Sequence, residues 1–279
     1  MITDIARKLF RLMIRTVFSS DPNRIKQVKI DGRHQLVWIA EHVGRKIALK
    51  VFERSETAFL EATVKEGDVC VDVGANVGYF THLFAQRVGE SGRVVAVEPI
   101  KRNAKLIEVN SVINGTDGHV TVINKAVSES ESGSTSFSLR NDSASSSITE
   151  EENTPERDNP LNTSTTRIEV LCDPLDTIIT DQGLSKIDVL KMDIEGYEYR
   201  ALLGMGKVLS SDTLRPNTMM IELFSKHLEC FNNSIRQVVD YLQEYGYAAR
   251  FIDKTGSLSD FTSAHYDVEY NVIFVNTRK

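Results

Sequence analysis

The sequence predicts an α/β protein built on a doubly wound, parallel-rich sheet with helices on both faces. From Glu56 onward, short β-branched runs alternate with helix-length segments, and such alternation builds βαβ units. A glycine-rich turn joins the first of these strands directly to a helix. The 279 residues are 41% hydrophobic and 26% charged, which suits one large globular domain with a substantial core.

Residues 2–18 place Ile5, Leu9, Leu12, Met13 and Val17 on one helical face and Arg7, Arg11 and Arg15 on another, predicting an amphipathic helix. It is expected to pack on the domain; a peripheral membrane contact or a dimer contact through residues 1–18 is the alternative. With Lys8, these arginines break up any signal-peptide core, so a cytoplasmic protein is expected. Residues 28–51 read as a hairpin turning at Gly44, with Trp38 in the core. The domain division expected is an extension over 1–55 and a main domain over 56–279.

Within the main domain the predicted strands cover 69–73, 93–97, 119–123, 187–192, 217–223, 248–252 and 270–275, with helices over 80–87 and 103–112 among the intervening segments. Residues 128–166 break the rhythm with Ser, Thr, Asn, Asp and Glu, including the run 143–147 and the acidic triplet Glu150 to Glu152. A partly ordered polar flap is expected there.

Acids outnumber Lys and Arg by 39 to 33, for a formal charge of -6, which disfavours a nucleic-acid partner. Cys70, Cys172 and Cys230 are scattered and lack metal or disulfide spacing. No run reaches the roughly 18–20 apolar residues of a membrane-spanning helix.

Chemistry concentrates where the 69–73 strand meets Gly74, Ala75, Asn76, Val77 and Gly78. Glycines let a ligand approach the backbone, and unpaired N–H groups at a helix start attract a carboxylate or phosphate. Glu98 ends the next strand, where an acid accepts hydrogen bonds from ribose hydroxyls; together these predict a nucleoside cofactor. The turn does not match the dinucleotide pattern GxGxxG. Asp72 just before it would repel a pyrophosphate but attract the α-ammonium group of S-adenosylmethionine.

Asp-Val-Gly-Ala-Asn-Val-Gly at 72–78, Val-Glu-Pro at 97–99 and Lys-Met-Asp-Ile-Glu-Gly-Tyr-Glu at 191–198 together resemble the FkbM-type methyltransferases. Glu56 ahead of Gly67-Asp68, Leu175-Asp176-Thr177 and Ile221-Glu222 add to the likeness, which spans about 56–275. The resemblance implies a class I methyltransferase fold, Rossmann-like, with seven strands of which the last is antiparallel. It also implies methyl transfer from S-adenosylmethionine, commonly to a hydroxyl oxygen. Carried over, Gly74, Ala75, Asn76 and Gly78 would shape the methionine-end cradle, Asp72 would answer the ammonium and Glu98 would hold the ribose. Asn103 is a further contact candidate, and the adenine would rest near Ala126 and Val127.

Asp193 and Glu195 follow the fourth strand of the main domain and are expected to face the transferred methyl, one of them orienting or deprotonating the acceptor hydroxyl; Glu222, ending an apolar strand where an unpaired acid is costly to bury, is a further catalytic candidate. Helix capping is the alternative for Asp193, Glu195 and Glu198. His227 is a weaker candidate base. Carboxylates at neighbouring strand ends could also hold Mg²⁺, but no metal site is expected. The predicted activity is S-adenosylmethionine-dependent O-methylation of a small-molecule or glycan acceptor, such as a sugar. A non-catalytic scaffold with this fold and an NAD(P)-dependent oxidoreductase are the competing readings.

Overall fold

The structure, a computed structural model, describes residues 25–30, 32–38, 41–50, 52–130, 132–139, 147–148, 166–253, 257–266 and 270–278. The helix expected over 2–18 and the acidic triplet at 150–152 lie outside the described residues.

Strands β1 (Ile25–Ile30) and β2 (Arg33–Trp38) pair antiparallel around a turn containing Gly32, and α1 (His42–Ala48) and α2 (Arg54–Thr63) follow. This corrects the hairpin expected to turn at Gly44: Ile47 belongs to a helix, not a strand. The β-branched spelling around Ile47 was overridden by packing, because α1 lies on the end of β2. A Cβ at Gly44 would come within 2.1 Å of the Trp38 carbonyl oxygen. Trp38 itself is 4% exposed, a core residue as expected.

Then come β3 (Val69–Val73), α3 (Tyr79–Val88), β4 (Arg93–Val97), α4 (Lys101–Asn114) and β5 (Val120–Ile123). A side sheet uses β6 (Ala126–Ser128), β7 (Gly133–Leu139), β8 (Ser147–Ile148) and β9 (Thr166–Pro174) in the order β6-β9-β7-β8. The chain continues through α5 (Leu175–Asp181), β10 (Val189–Met192), α6 (Glu198–Leu203), α7 (Gly206–Ser210) and β11 (Thr218–Leu223). It ends with α8 (Ser225–Glu229), α9 (Ile235–Glu244), β12 (Tyr247–Ile252), β13 (Leu258–Asp260) and β14 (Tyr270–Asn276).

The main sheet has the order β13-β12-β14-β11-β10-β3-β4-β5. Strands β11, β10, β3, β4 and β5 are mutually parallel, and β14 runs antiparallel between β11 and β12. Seven of these strands make the expected class I arrangement with its antiparallel last strand; the short β13 adds an eighth at the edge. Both faces are covered, so the central strands are apolar along most of their length, with Asp72 and Lys191 as buried exceptions. Val71, Val73, Val95 and Val97 point into one core, while Cys70 and Val94 point into the other, as the two-residue period requires.

The flap expected over 128–166 is in part ordered sheet: β7 pairs with both β8 and β9. Phe137 and Val170 carry this sheet into the main core.

Candidate active site

The chain winds outward from β3 through β4 and β5, then returns to add β10 and β11 on the other side. Ligands of open α/β sheets bind at such a switch point, beyond the carboxyl ends of the strands. Val73 and Met192 are register partners there, and beyond them opens a cavity of about 610 Å³, within the roughly 300–1,000 Å³ usual for small-molecule sites.

The glycine turn forms one wall. Gly74 has φ +77°, and a Cβ on it would lie 1.9 Å from the Asp193 carbonyl oxygen, so glycine is needed both for its conformation and for this approach. The next residues aim backbone N–H groups across the β4 end: Asn76 N–H donates to Glu98 Oε2 at 2.8 Å, and Ile100 N–H to Glu98 Oε1 at 2.9 Å. Burial pushes the Glu98 carboxyl up to about 7 against these hydrogen bonds. Asn103 is 1% exposed and lines the cavity, and its Oδ1 has no hydrogen-bond partner among the described residues. A buried acceptor of this kind is open to a ligand hydroxyl or amine, or to water. Pro99, Ala126, Val127 and Phe137 supply the apolar wall. The residues present therefore fit a nucleoside cofactor.

Two expected cofactor contacts stand away from the cavity lining. Asp72 is 1% exposed and accepts from Thr81 Oγ1 at 2.6 Å. Its register partner is Lys191. Strand alternation turns it toward α3, where its Oδ2 holds Thr81, while its buried Oδ1 has no hydrogen-bond partner among the described residues. Gly78 is likewise turned inward, with His82 and Ile107 beside its Cα. Gly74, Ala75, Asn76, Glu98, Asn103, Ala126 and Val127 do line the cavity.

The other end of the cavity is acidic. Asp193, Glu195, Glu222 and His227 all line it, joined by Lys191 and by Glu53 and Glu56 from the N-terminal side. Lys191 Nζ lies 2.9 Å from Asp193 Oδ2 with its own side chain 4% exposed. Burial opposes that charge, but Asp193, Asp72 and Glu53 hold Lys191 firmly protonated. Burial would raise Asp193; Lys191 and a hydrogen bond with Glu222 keep it below its ordinary value instead. The Asp193 charge, then burial, drives Glu222 well above the carboxylate range. Asp193 is thus the stronger acid of the pair, and Glu222 is the one that binds a proton more tightly. Burial also raises Glu53 to about 7, and carboxylate oxygens of Glu53, Asp193 and Glu222 lie within 4.8 Å of one another. Lys191 supplies a cation beside this cluster.

Glu195 Oε2 lies 3.1 Å from His227 Nδ1. Glu198 is different: it is 1% exposed and accepts from the backbone N–H groups of Ile194 and Gly196 at 3.0 and 3.1 Å. It ties together the turn that presents Asp193 and Glu195, ahead of α6.

Sequence reasoning assigned no role to Lys191, although a lysine inside the apolar run Val-Leu-Lys-Met is a visible signal. Tyr197, packed edge-on against Phe231 at 5.3 Å, and Glu53, Phe52 and Lys46 were also unassigned. Nothing local marks these last three, because tertiary packing alone brings the extension to the cavity.

A class I sheet with a glycine cradle at β3, an acid at the end of β4 and acids beyond β10 and β11 defines an S-adenosylmethionine-dependent methyltransferase. Residues 72–249 match the model of the methyltransferase FkbM domain, more than half of the chain, and the chain belongs to that family. No curated protein matches it. Among solved structures, an S-adenosylmethionine-dependent O-methyltransferase from Thermotoga maritima is similar at 17% identity and TM-score 0.46, covering 95% of this chain and 82% of that one. Fibrillarin from Aeropyrum pernix, with natively bound S-adenosyl-L-methionine, is similar at 13% identity and TM-score 0.44, covering 93% and 86%. At such scores neither likeness carries weight beside the family match.

Proposed function

We propose that this methyltransferase acts on a hydroxyl oxygen of a sugar, glycan or related small metabolite. The observation that carries the reading is the acidic end of the cavity, where Glu53, Asp193, Glu195 and Glu222 offer oxygens to an alcohol's O–H groups and Phe52, Tyr79 and Tyr270 add aromatic lining. Such a mixture of carboxylates and aromatic faces suits polyhydroxylated rings. The net acidity of the chain speaks against nucleic acid as acceptor.

S-adenosylmethionine, when bound, supplies an electrophilic methyl group. Glu98 and Asn103 would hold its nucleoside, and the turn at Gly74 would lie against its methionine end. Asp193, kept ionised by Lys191, accepts a hydrogen bond from the acceptor hydroxyl and aligns its oxygen for in-line displacement. Protonated Glu222 donates to Asp193 and keeps that carboxylate in place.

Calorimetry with S-adenosylhomocysteine and transfer of radiolabelled methyl to a panel of glycans and sugar alcohols test this. Label in an ether product is expected. Asp193→Asn is expected to bind the homocysteine product as wild type does and to lose about 100-fold or more of the transfer. Label appearing only on nitrogen, or no cofactor binding by wild type, defeats the proposal.

A further inference from the structure

We infer that Glu195 and His227 form a carboxylate–imidazole pair in which His227 Nε2 takes the proton of the acceptor hydroxyl while Glu195 holds Nδ1. This rests on the hydroxyl-methylating reading above and identifies the base for it.

Both side chains line the cavity beside Asp193 and Glu222, and the Nδ1 to Oε2 separation is 3.1 Å, an ion-pair contact rather than an aligned hydrogen bond. Nδ1 is the ring nitrogen beside the Glu195 carboxylate, so the ring proton is favoured there and Nε2 carries the imidazole lone pair. Two features aim the pair. Glu195 has φ +59°, a left-handed backbone that is strained for a non-glycine residue and tends to collect at functional sites. The conformation is held because Gly196 packs on the His227 backbone, where an added Cβ would come within 2.4 Å of the carbonyl oxygen. The Phe224 ring, edge-on at 4.5 Å, sets the imidazole plane.

The neighbouring acids are poorly placed to be the base. Lys191 lowers the basicity of Asp193, and the Asp193 charge and burial favour the protonated form of Glu222. An imidazole ordinarily titrates at about 6.5, near the working pH that a general base requires. The charged groups around the ring are Glu195 and Asp193 from the turn after β10 and Glu222 from the end of β11, with Lys226 and Glu229 on its own helix. The carboxylates favour the imidazolium that forms. In the step, the acceptor O–H bond breaks toward Nε2, the oxygen–methyl bond forms, and the methyl–sulfur bond breaks with its electron pair left on sulfur. The proton then passes from Nε2 to solvent.

Proton–nitrogen correlation of the histidine rings in the cofactor-free full chain reads the tautomer, with His227→Gln assigning the signal. A neutral ring bearing its proton on Nδ1 is expected, and one bearing it on Nε2 overturns the proposal. Glu195→Gln is expected to lower the His227 titration midpoint by about half a pH unit or more; an unmoved midpoint counts against the pair. On any acceptor that wild type labels, His227→Gln should lose about 100-fold or more of the transfer and the acid limb of its pH profile, while binding S-adenosylhomocysteine unchanged. Undiminished transfer refutes the assignment. Failure of wild type to bind S-adenosylhomocysteine would strike the proposed function instead, and the tautomer would still decide between the two arrangements of the pair.

Discussion

At the residue scale, the site is organised by what burial does to carboxylates. Glu98 and Glu198 share one predicament, a carboxyl at 4% and 1% exposure held by backbone N–H groups. Burial pushes each up to about 7. A carboxyl whose pKa rises on folding binds its proton more tightly in the folded state. Its contribution to stability is therefore full below about pH 4.5 and is lost as the pH climbs through about 7. For Glu198 a shift of that size is on the order of 3 kcal/mol, or very roughly 6–12 °C in melting temperature at this chain length. Glu198→Gln keeps an acceptor for the two N–H groups without the titration. The variant should gain on wild type in melting temperature between pH 5 and 8, and parallel melting curves across that range would contradict the assignment.

At the element scale, the N-terminal hairpin is held by side chains that imitate a neighbouring strand. Asn110 accepts from Leu36 N–H at 2.7 Å and donates to its carbonyl at 3.1 Å, and Asn114 does the same for His34 at 2.9 and 2.7 Å. Two amides one helical turn apart on α4 thus satisfy alternate residues of β2, whose edge would otherwise lack partners. Asn110 is fully buried, so Asn110→Ala strands a buried N–H and C=O. A cost of about 1–3 kcal/mol is expected in chemical denaturation. Asn114→Ala, in a more exposed setting, should cost less; a reversed order would show that the hairpin is held by something else. Neither asparagine is distinctive in the sequence, since Asn on a helix reads as a poor helix former until its tertiary partner is known. The side sheet was illegible for a related reason: Gly-Ser-Thr-Ser-Phe-Ser-Leu over β7 has the composition of a loop, and antiparallel pairing with β9 decides that it is a strand.

At the scale of the whole molecule, the extension and the methyltransferase fold share one core and one cavity. Helix α3 buries Tyr79, Phe80, Leu83, Phe84, Ala85 and Val88, which exceeds a single apolar stripe and requires cover on both sides. The sheet covers one side; Ile30, Leu36, Val37, Trp38, Ile47 and Leu60 belong to the cluster that covers the other. Removing residues 1–53 is expected to leave a chain that binds a hydrophobic dye and melts without a cooperative transition. A truncated chain that melts cooperatively and still binds S-adenosylhomocysteine would show the extension to be dispensable. The same packing brings Phe52 and Glu53 into the acceptor end of the cavity, from outside the stretch that matches the family model. Among the described residues no helix is long and apolar enough to cross a membrane.

The sequence by itself determined the α/β class, the parallel strands and the ligand edge, because buried parallel strands must be apolar along most of their length and a backbone that meets a ligand needs its glycines. It also named Glu98, Asp193, Glu195 and Glu222, since acids at the ends of apolar strands stand out. Only the tertiary structure decided which acid is the stronger and which binds its proton more tightly, because that follows from the distance to Lys191 and from burial. It turned Asp72 away from the cavity through strand alternation, set His227 against Glu195, and carried Glu53 in from a segment whose sequence gives no sign of its destination. Charge state and proximity belong to three-dimensional neighbours, and those neighbours are distant in the chain.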